Sequence, residues 1–408
     1  MQLGYYIAKK LSLSKSQSFT KTITLLAIAA VSVSLSVVIL SFGILLGFKK
    51  EIREKVQGYA GDISISRYQL ANGTESNLFE IDTSFIHQLK KDTRVKTVFP
   101  FINKAGILKS DSTLEGVILK GLPSDYNFEF FQKHLKRGVL PTYTDSIDHH
   151  DILLSEYTAR IMNVDTGDRI NLYFIDNSDV RRRKPKIVGI FNTGLQEFDK
   201  QFAVAHLRAV QRVVEKDHTY TTAAGYEVRL HDFENIDATK DHISTLLDYN
   251  YAINGIVDLY PTIFQWLDIV DTNVEVIILL MLIVAIINII TVLLILIIER
   301  IPMIGVLKAM GARSSKVSSI FNWQGLFILI GGVVLGNAIA LSLAFIQINY
   351  KFIELPADTY YMDAVPFTLP LSYLFAINIG AVIVCFLFTY IPVRLVNSIK
   401  ASDSIVFR

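Results

Sequence analysis

A membrane protein with four transmembrane α-helices, and a large mixed α/β domain inserted between the first and the second, is the architecture this sequence predicts. Three observations predict it. Thr22–Phe48, Val276–Ile298, Val317–Tyr350 and Ala364–Val393 carry no Asp, Glu, Lys, Arg or His. Each exceeds the roughly 20 residues that cross about 30 Å of hydrocarbon at 1.5 Å per residue. More than half of the chain, holding all eight histidines, separates the first run from the second. Finally, 51% hydrophobic residues and a positive mean hydropathy coexist with 19% charged residues and a net charge of +2, so the apolar residues are segregated rather than spread.

The first span, 22–48, begins too late and runs too long for the apolar region of a cleaved signal, and it reads as a retained anchor. Residues 49–272 form the inserted domain. Its flanks continue as helical stalks: Phe48, Ile52 and Val56 repeat every four residues after the first span, with Lys50–Glu54 and Glu51–Lys55 spaced as i,i+4 pairs. Ile263, Leu267, Val270 and Val274 give the same amphipathic spacing before the second span. Between the stalks, alternation and β-branched content predict strands at 62–66, 95–101, 115–120, 169–175, 186–191 and 223–230, and helices near 83–91, 155–163, 207–215 and 237–247. Ser155 is placed to cap the second of these helices, and Asn163 to Asp168 to turn the chain into the next strand. Asp176 to Lys186 reads as an exposed hairpin tip. The only cysteine, Cys385, lies in the fourth apolar run, so the domain has no intrachain disulfide and depends on its own core.

The second span, 273–298, is rich in Val and Ile but far too long for an ordinary strand. The loop at 299–318 holds Arg300, Lys308, Arg313 and Lys316, whereas the loop at 346–366 holds Lys351 against Glu354, Asp358 and Asp363. The basic loop is therefore predicted to be cytoplasmic. With spans at 319–345 and 367–393 and a tail at 394–408, both termini fall inside and residues 49–272 outside. Gly332, Gly336, Ala340 and Ala344, and Gly43 with Gly47, recur every four residues and predict close helix packing, within or between subunits. Asn288 is able to hydrogen-bond across helices.

Several function classes are excluded. The chain has no GxxxxGK[ST], HExxH or GxSxG motif, and no basic nucleic-acid footprint. Asp148, His149, His150 and Asp151 offer metal-ligand chemistry, but adjacent residues seldom converge on one ion, and the cluster reads as a solvated turn. No metal site and no resident cofactor are expected. Spans without charges argue against a proton relay, and a span lining without charged or polar groups against a channel, so the energy for any transport must come from outside this chain.

The sharpest motif is the cytoplasmic loop from Glu299 to Phe321. A helix from about Met303 to Met310, ended by Gly311, would show Ile304, Leu307 and Met310 on one side, with Lys308 and Arg313 available to acidic partners. From the residues alone this is equally an interfacial amphipathic turn or a docking helix. Glu299, Arg300, Ile304, Gly305, Leu307, Lys308, Met310, Gly311 and Arg313 lie in a run, ERIPMIGVLKAMGAR, that resembles the coupling signature of FtsX-like and MacB-like ABC permeases. The resemblance implies a coupling helix that docks on an ATPase. Pro302 and Met303 depart from the basic or polar and acidic residues usual there.

The opening, YYIAKKLSLSKSQSF, and the exit of the first span at Gly47, Phe48, Lys50, Glu51, Ile52 and Arg53 are similar to the lipoprotein-releasing permeases of the LolC and LolE type. So are Gly167–Asp168, Val188–Phe191, the loop at 355–367, and the ending with Pro392 and Arg394, where Ala401 stands in place of a common proline. This resemblance implies a cytoplasmic amphipathic elbow at 1–21, a MacB-like periplasmic core at 49–272, and a multi-pass position in a bacterial inner membrane. It also implies the partners: a cytoplasmic ATPase dimer that binds ATP and Mg, a second permease, identical or not, a lipoprotein substrate, a periplasmic lipoprotein carrier, and membrane lipids. Exposing three acyl chains of about 45 methylenes to water would cost on the order of 36 kcal/mol at about 0.8 kcal/mol each, so such a substrate must pass between apolar enclosures. Leu40, Phe42, Leu45, Phe48, Phe264 and Leu267 are the expected lining, with core packing the alternative for each. Arg181, Arg182, Arg183, Lys184 and Pro185 stand where the family places its carrier-recruiting hook, on a shorter hairpin, with a merely solvated run the alternative. A MacB-like exporter of peptides or toxins and an FtsX-like regulator of cell-wall hydrolases are the competing functions.

Overall fold

A computed structural model describes residues 19–68, 78–110, 113–141, 150–176, 179–215, 219–356 and 360–398. The expected elbow up to Ser18, Asp148 and His149 of the acid/histidine cluster, the hairpin residues Asn177 and Ser178, part of the loop at 355–367 and the tail from Ile399 lie outside them. Contacts divide the chain into a membrane unit, Met1–Lys50 with Trp266–Glu354 and Val365–Arg408, and an α/β unit, Glu51–Gln265 with Leu355–Ala364.

Helix α1 runs unbroken over Phe19–Ala60, twelve residues past the expected first span. In the α/β unit follow α2 (Thr83–Leu89), α3 (Glu129–His134), α4 (Glu156–Met162), α5 (Gln196–Gln201), α6 (Leu207–Val214), α7 (Ile236–Leu246) and α8 (Ile256–Leu259). The strands are β1 (Ile63–Arg67), β2 (Phe79–Glu80), β3 (Val95–Lys109), β4 (Leu114–Leu122), β5 (Leu135–Gly138), β6 (Asp151–Ser155), β7 (Asn171–Asp176), β8 (Asp179–Arg183), β9 (Lys186–Phe191), β10 (Phe202–His206), β11 (Thr222–Ala223), β12 (Gly225–Leu230) and β13 (Tyr251–Gly255). The main sheet has the order β13–β1–β12–β3–β4–β10–β6–β9–β5, with β7 on β3 and β8 on β7, while β2 and β11 pair separately. β10 is parallel to β4 and β6 to β9, which makes the sheet mixed.

Strand β3 is twice as long as the sequence predicted. It pairs with β12 along Val95–Phe101 and with β4 along Ile102–Lys109, so one strand serves both halves of the sheet. Local signals behave as expected around α4: Ser155 Oγ accepts from Thr158 N at 3.1 Å, and Asn163 closes the helix in the left-handed region at φ 53. The core lies where α4 and α6 cover the sheet, with Met162 and Val210 fully buried against Leu108, Leu154, Phe174 and Ile187. Strands β2, β5, β6, β8, β10 and β13, and helices α3, α5 and α8, were not anticipated.

Among the described residues four helices are long and apolar enough to cross a bilayer: α1, α9 (Pro261–Glu299), α11 (Ser314–Tyr350, after the short α10, Ile301–Ala309) and α12 (Leu371–Ser398). The small-residue stripe of α11 packs on α1 of the same chain. A Cβ at Gly332 would fall 2.5 Å from Val31 Cγ1, and one at Gly336 2.9 Å from the Ser32 carbonyl oxygen, so close approach depends on glycine. Asn337 and Asn378 exchange hydrogen bonds of 2.6 and 3.0 Å between α11 and α12. Lys49 pairs with Asp271 where α1 and α9 leave the apolar segment.

Candidate functional site

Helix α10 carries Pro302 in its first turn, where a missing N–H costs nothing, and stops at Gly311, whose φ of +87 suits the position after a helix end. The expected exposed face needs correcting. Ile304 is fully buried among Ile297, Phe321, Val393 and Val396, and Gly305 is buried beside it. Leu307 is half-buried against the same cluster. Lys308 Nζ donates to the Val396 carbonyl oxygen at 2.7 Å, tying the loop to α12. Glu299 and Arg300 are half-buried at the α9–α10 junction. Exposure falls instead on Pro302, Val306, Ala309 and Met310, with Met310 79% exposed and Arg313 exposed beyond it. Their i, i+4, i+7 and i+8 spacing puts the first four on one helical face. The result is an apolar strip with a cation at its end.

Of the six residues expected to line a lipid enclosure, Phe42 opens onto a cavity. That cavity, of about 400 Å³, lies in the membrane unit between α9 and α12 and is floored by α1 and α11. Leu40 packs half-buried on Leu35, Ile39 and Ala340, and Leu45 is buried. Phe48 is buried with its ring 6.4 Å from Trp266 in an edge arrangement, and Leu267 is 4% exposed. Phe264, in the α/β unit, stacks on Phe233 at 6.2 Å. Within this chain these five are covered or half-covered by neighbouring elements that a helical-wheel count does not show.

The basic run is not a turn. Arg181, Arg182 and Arg183 lie on β8, in register with Phe174, Tyr173 and Leu172 of β7, and the pairing runs on to Asp176 with Asp179. Arg181 Nη1 donates to the Val213 carbonyl oxygen at 2.6 Å, and Arg182 Nε to Asn171 Oδ1 at 3.2 Å. Arg183, with Pro185, His150 and Arg212, borders a cleft of about 270 Å³ beside β6 and α6. Lys184 is exposed between β8 and β9. Since β8 pairs only with β7 among the described strands, its charges also guard a sheet edge. Among the described residues no three His, Cys, Asp or Glu side chains group as a metal site.

The family description "MacB-like periplasmic core domain" matches residues 24–246, and "FtsX-like permease C-terminal" matches 275–401. The chain belongs to the FtsX-like and MacB-like ABC permeases. The lipoprotein-releasing system transmembrane protein LolC of Xylella fastidiosa (strain 9a5c) is 21% identical over 385 residues, 90% of each chain. LolE of Haemophilus influenzae is 22% identical over 356 residues, 81% of each. The periplasmic region of MacB from Actinobacillus actinomycetemcomitans aligns with 51% of this chain and 95% of its own at 18% identity, with a TM-score of 0.35. As an ABC permease, the protein works with an ATPase partner and in a pair of permeases.

In this permease the set that sequence reasoning passed over surrounds the end of α1. The last carbonyls of a helix lack partners and attract cations. Here the Gly58 carbonyl oxygen accepts from Arg229 Nη2 at 3.2 Å, and that of Tyr59 from Lys120 Nζ, which also pairs with Glu227. Lys120 and Glu227 are both buried, and burial pulls the lysine's pKa down while Glu227 opposes it. Gly61, at φ +68, closes the helix. Tyr59 stacks on Phe198 with ring centroids 4.7 Å apart and donates to Asp199 Oδ1 at 2.7 Å. Burial raises the Asp199 pKa despite hydrogen bonds from Tyr59, Thr193 and Gly194. The bulky Tyr59 at the end of a long helix was the available signal.

Proposed function

We propose that this permease extracts lipoproteins from the bacterial inner membrane and passes them to a periplasmic carrier, driven by a separate ATPase that binds ATP and Mg. What supports this most is the extent of the likeness to LolC, 90% of both chains, spans and inserted domain alike. In this reading both termini are cytoplasmic, and the apolar strip Pro302–Val306–Ala309–Met310 is where the ATPase docks. Helix α1 carries motion onward: it continues without a break to Ala60, where Lys120, Arg229 and Tyr59 lock its end into the sheet. A helix held this way transmits tilt with little bending. The basic strand β8 supplies the carrier's encounter surface, with a salt-dependent contribution from its arginines.

The test is reconstitution of the permease, its copurifying partner permease and ATPase in proteoliposomes loaded with a triacylated lipoprotein. ATP and Mg should release the lipoprotein only when the carrier is present. Changing Arg181, Arg182, Arg183 and Lys184 together to Ser should lower carrier crosslinking and release while leaving basal ATP hydrolysis intact. Release of a soluble peptide in place of lipoprotein would favour the exporter class. If no substrate moves and a cell-wall hydrolase is activated, the regulator class holds.

A further inference from the structure

The cavity between α9 and α12 has no role in the function proposed above. Its walls are almost entirely apolar, from Phe42 and Tyr373 at one end to Val31, Ala285, Leu329 and Cys385 at the other. The Phe42 and Tyr373 rings lie 6.5 Å apart, at the end of α1 that leads in sequence into the inserted domain, and Thr368 N, just before α12, donates to the Gly43 carbonyl oxygen at 2.9 Å. Val31, Ala285, Leu329 and Cys385 close the far end as one buried cluster. From Tyr373 to Cys385 the trough is about 18 Å long at 1.5 Å per residue. One leaflet contributes about 15 Å of the bilayer's hydrocarbon. The trough thus starts near the domain-side interface and ends near the bilayer midplane.

Its size selects the occupant. At the roughly 30 Å³ that a water-sized group fills, about 400 Å³ holds on the order of 13 methylenes, which is one acyl chain. A helix of about 10 Å diameter and that length needs more than three times the volume, so a span of a second copy does not fit into it. At this depth the surrounding solvent is lipid, and the trough offers no charged group to a polar ligand. We propose that one acyl chain of a domain-side-leaflet phospholipid occupies this trough as a bound lipid, with its headgroup beside Tyr373.

Gly380 lines the trough, and a Cβ built on it meets nothing within 4 Å, so the side chain of Gly380→Phe starts in open space at the trough wall. Ile383, on the same helix, is 54% exposed and does not line it, which makes Ile383→Phe the control. The full chain, purified with its partner subunits, is reconstituted in vesicles containing a phospholipid with a diazirine near the end of one acyl chain. After illumination, the adducts are mapped by peptide mass spectrometry. Adducts should concentrate on Ala285, Val384 and Cys385, fall at least fivefold in Gly380→Phe and in a second filling variant, Ala381→Phe, and persist in Ile383→Phe. Uniform labelling of all lipid-facing positions would overturn the proposal, as would no loss in filling variants that remain monodisperse. Two further outcomes would overturn it: adducts from a diazirine-bearing triacylated lipopeptide but none from the phospholipid, and crosslinks from trough residues to a second copy of this chain. None of these outcomes depends on whether the permease releases lipoproteins.

Discussion

Met310→Asp and Ile304→Ala, two changes in one short helix, should fail in opposite ways. Met310 is 79% exposed and Ile304 fully buried. Burying a Met side chain is worth about 1.5–3 kcal/mol, and roughly four-fifths of that remains to be gained when an ATPase covers it. Met310→Asp should forfeit that gain and add the cost of desolvating a carboxylate. At about 1.4 kcal/mol per decade, ATPase affinity should fall tenfold or more, with thermal stability unchanged. Ile304→Ala instead opens a cavity under α10 and should cost about 2–5 kcal/mol of stability. Copurification and permease-stimulated ATP turnover report the first effect, and thermal unfolding of the detergent-solubilised protein the second. Wild-type affinity and stimulation in both Met310→Asp and Val306→Asp would refute the docking face.

Cysteine replacing the 90% exposed Tyr249 should react with an impermeant thiol reagent in spheroplasts, and one replacing Ser315 only after lysis; the reverse pattern would invert the topology. Gly336→Val, whose Cβ would press on the Ser32 carbonyl oxygen and Leu35, should lower thermal stability by about 1–3 kcal/mol, while Gly380→Val, facing open space, should not. Asp92 is held at a pKa of about 2, mainly by its hydrogen bonds from Arg94. Because its folded value is depressed, the stabilisation should be complete above about pH 4 and lost as pH falls towards 2. The stability gap between wild type and Asp92→Asn should therefore close over that window, and a gap that is constant with pH would exclude the Arg94 contact as its source.

The spans were legible because a membrane helix announces itself by what it omits, and no tertiary contact can supply a missing charge. Ser155, Asn163 and Gly311 were legible for a related reason: caps and left-handed positions are local. Strand β10, Phe-Ala-Val-Ala-His, was not, since four apolar residues and a histidine between two helices carry no period until β4 and β6 flank them. The charges of β8 hid a strand, because at a sheet edge they are tolerated for reasons that only the pairing reveals. On α10 the spacing of Ile304, Leu307 and Met310 was seen, but which apolar face turns inward depends on Phe321 and Val396, far away in sequence.

Ten residues between the third and fourth spans, Leu355–Ala364, belong to the α/β unit. There the Tyr361 carbonyl oxygen accepts from Lys55 Nζ at 2.5 Å and lies against Gly194, while Met362 is 4% exposed. During synthesis this makes the domain a structure completed out of order. Its sheet leaves the ribosome first, two spans must then be threaded, and only afterwards does its last piece emerge. At about 5–20 residues per second, the roughly 100 residues from Gln265 to Tyr361 delay completion by about 5–20 s. During that interval Lys55 lacks the Tyr361 acceptor, so this last piece of the domain can be placed only after the third span has been made. A domain excised at its two stalks would remain in that unfinished state however long it was given to fold.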